Sequence, residues 1–445
     1  WMGWSRRALD NAKIRLSAGS MGNGNVSPYS YTSEMTVSTA DDIVLGGSYP
    51  SYTSVGSTVP VSLTWEKSTT YDLGLDLDFL NNRLSFSGDY YRRYTTDMYT
   101  PSISLPSVYG TTSPKGNNAE LRTTGWELSF TWRDSFKLGG KPFDYSIKAM
   151  VWDNRTVVTK YENATRSLGT LKGYIQNGGS PSDFYEGMEL GEMWGYTVAG
   201  LFRDQADIDS SATHDFTQAS DKVTRPGQVK IADLDHNGNI DPGAFTADDH
   251  GDLSIIGNTS PRYCYSLAAG ARWNGIGLSM VWQGVGRRDW YPAKESGYFW
   301  GQYGRPYSIA LPWHNDRYTD ANQNTDAYWP RLIGYTAQGA NAILSQPNTR
   351  YLQKARYVRL KNLTIDYTFP KQMLTKIGIQ NLRIYLSGEN LFTITPLKKY
   401  AKNYDPENIY AGDSDFSSTR GGDGSGDGDG YPVMRSYSIG LSITF

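Results

Sequence analysis

No stretch of this 445-residue chain approaches the ~18 to 20 uninterrupted apolar residues that a membrane-crossing helix requires, and the mean hydropathy is −0.54. That excludes a helical membrane protein. Cysteine is nearly absent: Cys264 stands alone in Arg-Tyr-Cys-Tyr-Ser-Leu, which rules out an intrachain disulfide framework and reads as a packed thiol on a strand. Charge of one sign is missing too. The net charge is −2, with no long Lys/Arg stripe to neutralise a phosphate backbone, so nucleic acid is not an expected partner. The four histidines, His214, His236, His250 and His314, lack zinc spacing, and there is no Gly-x-Ser-x-Gly or phosphate-binding loop. An enzyme is not expected. No signal sequence precedes Trp1, so either a leader was removed or the chain starts partway through a longer protein; the second is the expectation adopted.

What is plentiful points to strands. There are 33 Tyr, 13 Trp and 47 Gly, a mixture suited to pleated surfaces, tight turns and aromatic girdles. Strict two-residue alternation recurs along the chain and places every second side chain on one face. In Tyr71 to Phe79, Tyr, Leu, Leu, Leu and Phe alternate with Asp, Gly, Asp and Asp. Further apolar rows are Trp126, Leu128, Phe130 and Trp132; Tyr265, Leu267, Ala269 and Ala271; and Leu363, Ile365 and Tyr367. The last row is Tyr437, Ile439, Leu441, Ile443 and Phe445. Alternation would also fit a soluble β-sandwich. Connection lengths separate the two: short links such as Asn81-Asn82 and Asn274-Gly275 take turns with long polar loops, at 22–61, 99–121, 159–261, 286–354 and 396–433. Such asymmetry belongs to a transmembrane antiparallel β-barrel with tight turns at one rim and long extracellular loops at the other. The expected fold is therefore all-β, with about ten spanning strands and a longer inner turn at 370–381 that holds a short helix. The terminal aromatic residue Phe445 and its alternating row match the signal by which bacterial outer-membrane barrels are recognised for insertion.

Several ordered segments resemble one family, the SusC/RagA-type TonB-dependent transporters of Bacteroidota. They are Lys13 to Asn23, Trp65-Glu66-Lys67, Asn117 to Leu128, Arg356 to Pro370, Ser387 to Thr393 and Tyr404-Asp405-Pro406-Glu407. The resemblance implies a 22-strand barrel, of which residues 1–445 are the C-terminal portion, with the plug and TonB-contacting segment lying outside this chain. It also implies a bacterial outer-membrane location with surface loops, in contact with membrane lipid. The implied function is import of oligomeric nutrients, glycan first and peptide second, with a SusD-like surface lipoprotein and the TonB-ExbB-ExbD machinery as partners. A surface adhesin or a passive porin is the alternative.

Two constellations could carry chemistry. Asp233-Leu234-Asp235-His236-Asn237-Gly238-Asn239-Ile240-Asp241 matches the first nine positions of a Ca²⁺ loop. Asp233, Asp235, Asn237 and Asp241 would offer side chains and Asn239 its carbonyl. The twelfth position is Ala244, so a bidentate ligand is missing unless Asp248, Asp249 or Asp252 folds back. The competing reading is an Asx-rich turn that satisfies its own backbone. The other constellation is an aromatic-rich loop in which Trp290, Tyr291, Trp300, Tyr303 and Trp313, with His314, Asp316 and Arg305, are candidates to bind cargo or partner. Its alternative is that these rings, Tyr307 included, pack the loop against the barrel rim or a partner protein. The Gly/Asp tract 421–430 reads as a loop tip.

Overall fold

The structure, a computed structural model, describes residues 9–24, 32, 35–56, 63–101, 115–171, 175, 179–214, 223–292, 296–304, 309–333, 342–375, 378–409 and 432–445. Arg305, Tyr307 and the 421–430 tract lie outside them. Ten long strands form one antiparallel sheet in strict sequence order. They are β1 (Leu9–Asn23), β2 (Glu66–Phe79), β3 (Leu84–Pro101), β4 (Lys115–Leu138), β5 (Lys141–Lys160), β6 (Arg262–Trp273), β7 (Ile276–Arg287), β8 (Tyr357–Thr368), β9 (Asn381–Ile394) and β10 (Ser436–Thr444). Strands β1 and β10 are its two edges.

The short links follow from turn chemistry. Gly139 and Gly140, and Asn274 and Gly275, take positive φ at both central positions, the geometry whose twist matches the flanking strands. Leu80, Asn81 and Asn82 are all left-handed, an arrangement that costs Leu80 more than its neighbours. The turn after β8 carries the expected helix, Lys371–Leu374. One loop is shorter than the 99–121 expected, because β3 and β4 stay paired out to Pro101 opposite Lys115, across an irregularity at Asp97.

Register aligns the apolar rows into a belt. Leu16 sits opposite Leu73, Leu73 opposite Tyr90, and Tyr90 opposite Trp126. At the far side Ile365 faces Leu386, which faces Ile439. These side chains are open: Leu73 is 50% exposed, Ile365 48%, Leu386 55% and Ile439 81%. A soluble sheet would bury this face. The other face is polar and internally paired. Arg15 bridges Asp76 and Asp89, each at 2.8 Å, and Asp366 holds Arg272 at 3.2 Å and Arg383 at 3.0 Å. The Arg15 bridge requires Gly74, where a Cβ would sit 2.5 Å from the guanidinium carbon. Near the short turns the polar face forms an open concavity of about 810 Å³ lined by Arg83, Arg133, Asp144, Arg272, Asp366 and Arg383, residues that run from the turn before β3 across to β9, so the sheet curves toward its polar side. An apolar convex face and a wet concave face define a wall segment of a membrane barrel. Among the described residues no helix is long and apolar enough to cross a membrane, and crossing by strands is unaffected by that. Cys264 lies half-buried on β6, as a strand thiol should.

Candidate functional site

The chain does have a core of the soluble kind, and it lies in the loops. Nearly all of the clustered buried apolar side chains fall between Val158 and Ile409, in the segments that join β5 to β6, β7 to β8 and β9 to β10. Two short ribbons frame it: Glu192–Tyr196 pairs with Leu253–Asn258, and Val198–Leu201 with Val229–Ile231. Aromatic rings fill the centre. Trp329 stacks on Tyr303 at 5.1 Å and on Tyr351 at 5.5 Å, while Phe299 meets Trp300 edge-on at 4.9 Å. Tyr328 and Tyr400 stack at 3.5 Å, joining the loop before β8 to the loop after β9. Offset and edge-to-face contacts of this kind add about 0.5–1.5 kcal/mol each beyond burial.

This packing revises the aromatic candidates. Trp290, Tyr291, Trp300, Tyr303 and His314 are at most 5% exposed, so they build the loop core and present no face to a ligand. Their hydrogen bonds run inward: the Tyr291 hydroxyl donates to the Gln346 carbonyl, Trp300 Nε1 to Pro292 and the Tyr303 hydroxyl to Pro330. His314 Nδ1 accepts the Leu311 N–H at 3.0 Å, and its Nε2 donates to the Phe299 carbonyl at 2.7 Å. Both ring nitrogens are thereby committed to backbone. Burial lowers the His314 pKa below its usual range, with Arg317 adding to the effect. Trp313 is half-buried, and among the described candidates of this aromatic loop only Asp316 is exposed.

The Asp/Asn loop is gathered differently from the linear motif. Carboxylate oxygens of Asp233, Asp235 and Asp252 lie within 4.8 Å of one another. Asp252, fully buried, folds back and accepts the N–H groups of Leu234 at 2.6 Å and Asp241 at 3.0 Å. Asn237 and Asp241 instead use a side-chain oxygen in Asx turns, on the N–H of Asn239 and of Gly243, each at 2.7 Å, and Asp241 stays outside the carboxylate group. Asp233 Oδ1 is buried without a partner. Burial pushes the Asp252 carboxyl up, its two N–H donors oppose the rise, and Asp235 and Asp233 add to it.

A site that sequence reasoning passed over joins two of the quoted motifs. Arg359 of β8, 2% exposed, donates to Asp405 at 2.5 Å, to Glu407, and to Thr393 Oγ1 at 2.7 Å. Asp405 also accepts the N–H groups of Glu407 and Val433. The segment Arg356 to Pro370 and the Tyr404-Asp405-Pro406-Glu407 motif are thus two halves of one ionic lock. Its signal was available: an Arg among alternating strand residues and an acidic pair flanking a proline.

The comparisons agree with this architecture. TonB-dependent receptor P3 of Formosa agariphila is 28% identical over 437 residues, which is 97% of this chain and 39% of the relative. TonB-dependent receptor SusC of Bacteroides thetaiotaomicron is 24% identical over 448 residues, 98% of this chain and 38% of the relative. The chain is thus similar over nearly its whole length to TonB-dependent receptors of the SusC type. No protein-family model matches it. The RagAB peptide transporter shares the fold, with a TM-score of 0.69 at 20% identity over 99% of this chain and 42% of that one. The chain spans about two fifths of the length of the relatives it matches. Its fold is that of an all-β outer-membrane barrel. The terminal row Tyr437, Ile439, Leu441, Ile443 and Phe445 stands on the open apolar face of the edge strand β10.

Proposed function

We propose that this chain supplies part of the wall and the surface loops of an outer-membrane importer of oligomeric nutrients. The observation that carries the reading is the inverted hydrophobicity of the sheet: ten apolar-outward, polar-inward strands beneath a loop assembly with its own core. Closure to 22 strands, a plug within the polar concavity and drive from TonB-ExbB-ExbD follow the family resemblance. A SusD-like lipoprotein would dock on the loops, and the cargo class would be glycan first, peptide second. The terminal row ending at Phe445 would serve as the assembly signal. The test is isolation of the native complex from outer membranes in mild detergent, with mass spectrometry of every co-purifying chain. A plug-bearing segment and a surface lipoprotein are the expected companions; a barrel with neither would replace active import by the adhesin or porin reading.

The Asp233, Asp235 and Asp252 carboxylates fit a hard cation. Three oxygen donors converge with no basic side chain bonded to them, and Asp233 Oδ1 has no partner of its own. Ca²⁺ is the candidate, since alternate-position oxygen ligands and the positive φ of Gly238 suit its loops. Its role would be structural, tying the ribbon at Leu253–Asn258 to the Asp/Asn turn.

A further inference from the structure

Where the loop between β5 and β6 meets the loop-side ends of β5, β6 and β7, four arginines line one cavity of 370 Å³: Arg155, Arg166, Arg262 and Arg287. The carboxylates that share this lining are Glu189 and Glu192. Both are already engaged by donors of the chain itself. Glu189 accepts Arg155 Nε at 2.6 Å and Arg262 Nη1 at 3.0 Å. Glu192, buried, accepts the Tyr185 hydroxyl, Trp194 Nε1 at 2.9 Å and the Glu189 N–H at 3.2 Å.

The guanidinium donors are not saturated. Arg262 has an acceptor on each of its three nitrogens, with Nε and Nη2 on Asp153 at 2.6 and 2.7 Å and Nη1 on Glu189 at 3.0 Å. Arg155 uses only Nε in its pair with Glu189. Arg166 uses only Nη1, on Asp248, and its Nε is buried with no partner. The carboxylate paired with Arg287 is Asp289, at 3.8 Å, beyond hydrogen-bond reach. Asp153, Asp248 and Asp289, with Glu189 and Glu192, set five carboxylates against the four arginines, so net attraction is not what distinguishes the cavity. What distinguishes it is the set of guanidinium N–H groups on Arg155, Arg166 and Arg287 that have no hydrogen-bond acceptor, while every carboxylate oxygen of Glu189 and Glu192 is already engaged.

We infer that this cavity binds an oxyanion, a carboxylate, sulfate or phosphate borne by a molecule of about sugar size. Planar guanidinium groups engage such anions through paired N–H donors, which is the strongest neutral-pH recognition available to these side chains. The volume falls within the range of about 300–1,000 Å³ typical of small-ligand sites. The inference is independent of the import reading, because a ligand of this chemistry could arrive as a soluble acidic sugar or as the phosphate of a neighbouring lipid headgroup.

The test is calorimetric titration of the full-length receptor in detergent with sulfate, glucuronate and glucose at constant ionic strength. Sulfate and glucuronate are expected to bind and glucose not to. The Arg155→Gln/Arg287→Gln pair should weaken both anions by about tenfold or more, while Arg133→Gln, in the separate concavity of the wall, leaves them unchanged. Should the Gln pair fail to fold, Arg155→Lys/Arg287→Lys keeps the charge and removes the planar fork; weakened binding would support the site. Phosphorus analysis of the purified receptor separates the sources. Stoichiometric lipid phosphate that is lost in the variants supports a headgroup site, and anion binding to a phosphate-free receptor supports a soluble ligand. Equal heats for glucuronate and glucose, or folded variants that bind like the parent, would overturn the inference.

Discussion

Replacing Arg359 by Met should unpin the loop that follows β9 without disturbing the wall. The guanidinium is nearly inaccessible, and it lies against two carboxylates whose side chains are 8% exposed (Asp405) and 26% exposed (Glu407). Removing one partner of a buried pair costs about 3–5 kcal/mol, most of it from the charge left behind. The lower end applies here. Glu407 keeps Lys361 at 3.1 Å and some contact with solvent, and Asp405 keeps the N–H groups of Glu407 and Val433. A loss of about 3 kcal/mol corresponds to an opening equilibrium raised by roughly two orders of magnitude, at about 1.4 kcal/mol per decade. Hydrogen exchange with mass spectrometry on the receptor in detergent would read it in 396–409, with the turn helix Lys371–Leu374 as an internal control. Asp405→Asn alone should cost less, because Arg359 retains Glu407. The double variant Arg359→Met/Asp405→Asn should cost less than the sum of its parts, since the stranded charge is gone. A rise of threefold or less in exchange, below about 0.7 kcal/mol, would refute the lock and leave these ion pairs as bystanders.

Three further outcomes follow from the same geometry. Ile365→Arg, on the open apolar face of β8, should cost about 2–4 kcal/mol if it lies near mid-membrane; Ser279→Arg, on the polar face, should be tolerated. Heat-modifiable gel mobility of receptor in outer membranes would show the difference, and equal assembly would reverse the assignment of faces. Saturating Ca²⁺, at about a hundred times its dissociation constant, should stabilise the loop assembly by about 2.7 kcal/mol, and Asp252→Asn should abolish the shift in Tm; a parent Tm indifferent to Ca²⁺ and chelator would remove the metal. His314 has a lowered pKa in the folded state, so the unfolded chain binds its proton first as pH falls. Loop-core stability should therefore be full above the usual imidazole range near pH 6.5 and decline as pH drops through the lowered folded value. His314→Gln, followed by loop tryptophan fluorescence during acid titration, should flatten that part of the profile, and an unchanged profile would place the acid sensitivity elsewhere.

The wall was legible in sequence because every determinant of it is local. Alternation sets the faces, and links such as Asn81-Asn82 and Asn274-Gly275 set the turns. Neither requires knowledge of a distant residue, so ten strands, their order and the apolar belt could be anticipated. The β3–β4 extension was missed because its irregular pairing around Asp97 breaks the two-residue period that marks a strand.

The loops reverse this logic, and the aromatic candidates show why. A ring such as Trp300 looks alike in sequence whether it meets cargo or other rings, and only the convergence of Trp329 and Tyr351, 29 and 51 residues further along the same loop, decides that it meets other rings. A wall bathed in hydrocarbon cannot bury its apolar side chains internally, so the hydrophobic effect that orders this chain in water acts through the loops. Their aromatic wealth is then a folding requirement first. The Asp/Asn loop makes the same point with charge: of the residues the linear motif named, Asp233 and Asp235 lie together, but the third carboxylate beside them, Asp252, comes from eleven residues beyond Asp241. Its arrival was a permitted alternative and not a consequence of the spacing. Recognition in such a protein should accordingly be sought where polar donors outnumber their acceptors, as around Arg155, Arg166 and Arg287, more than where rings are dense.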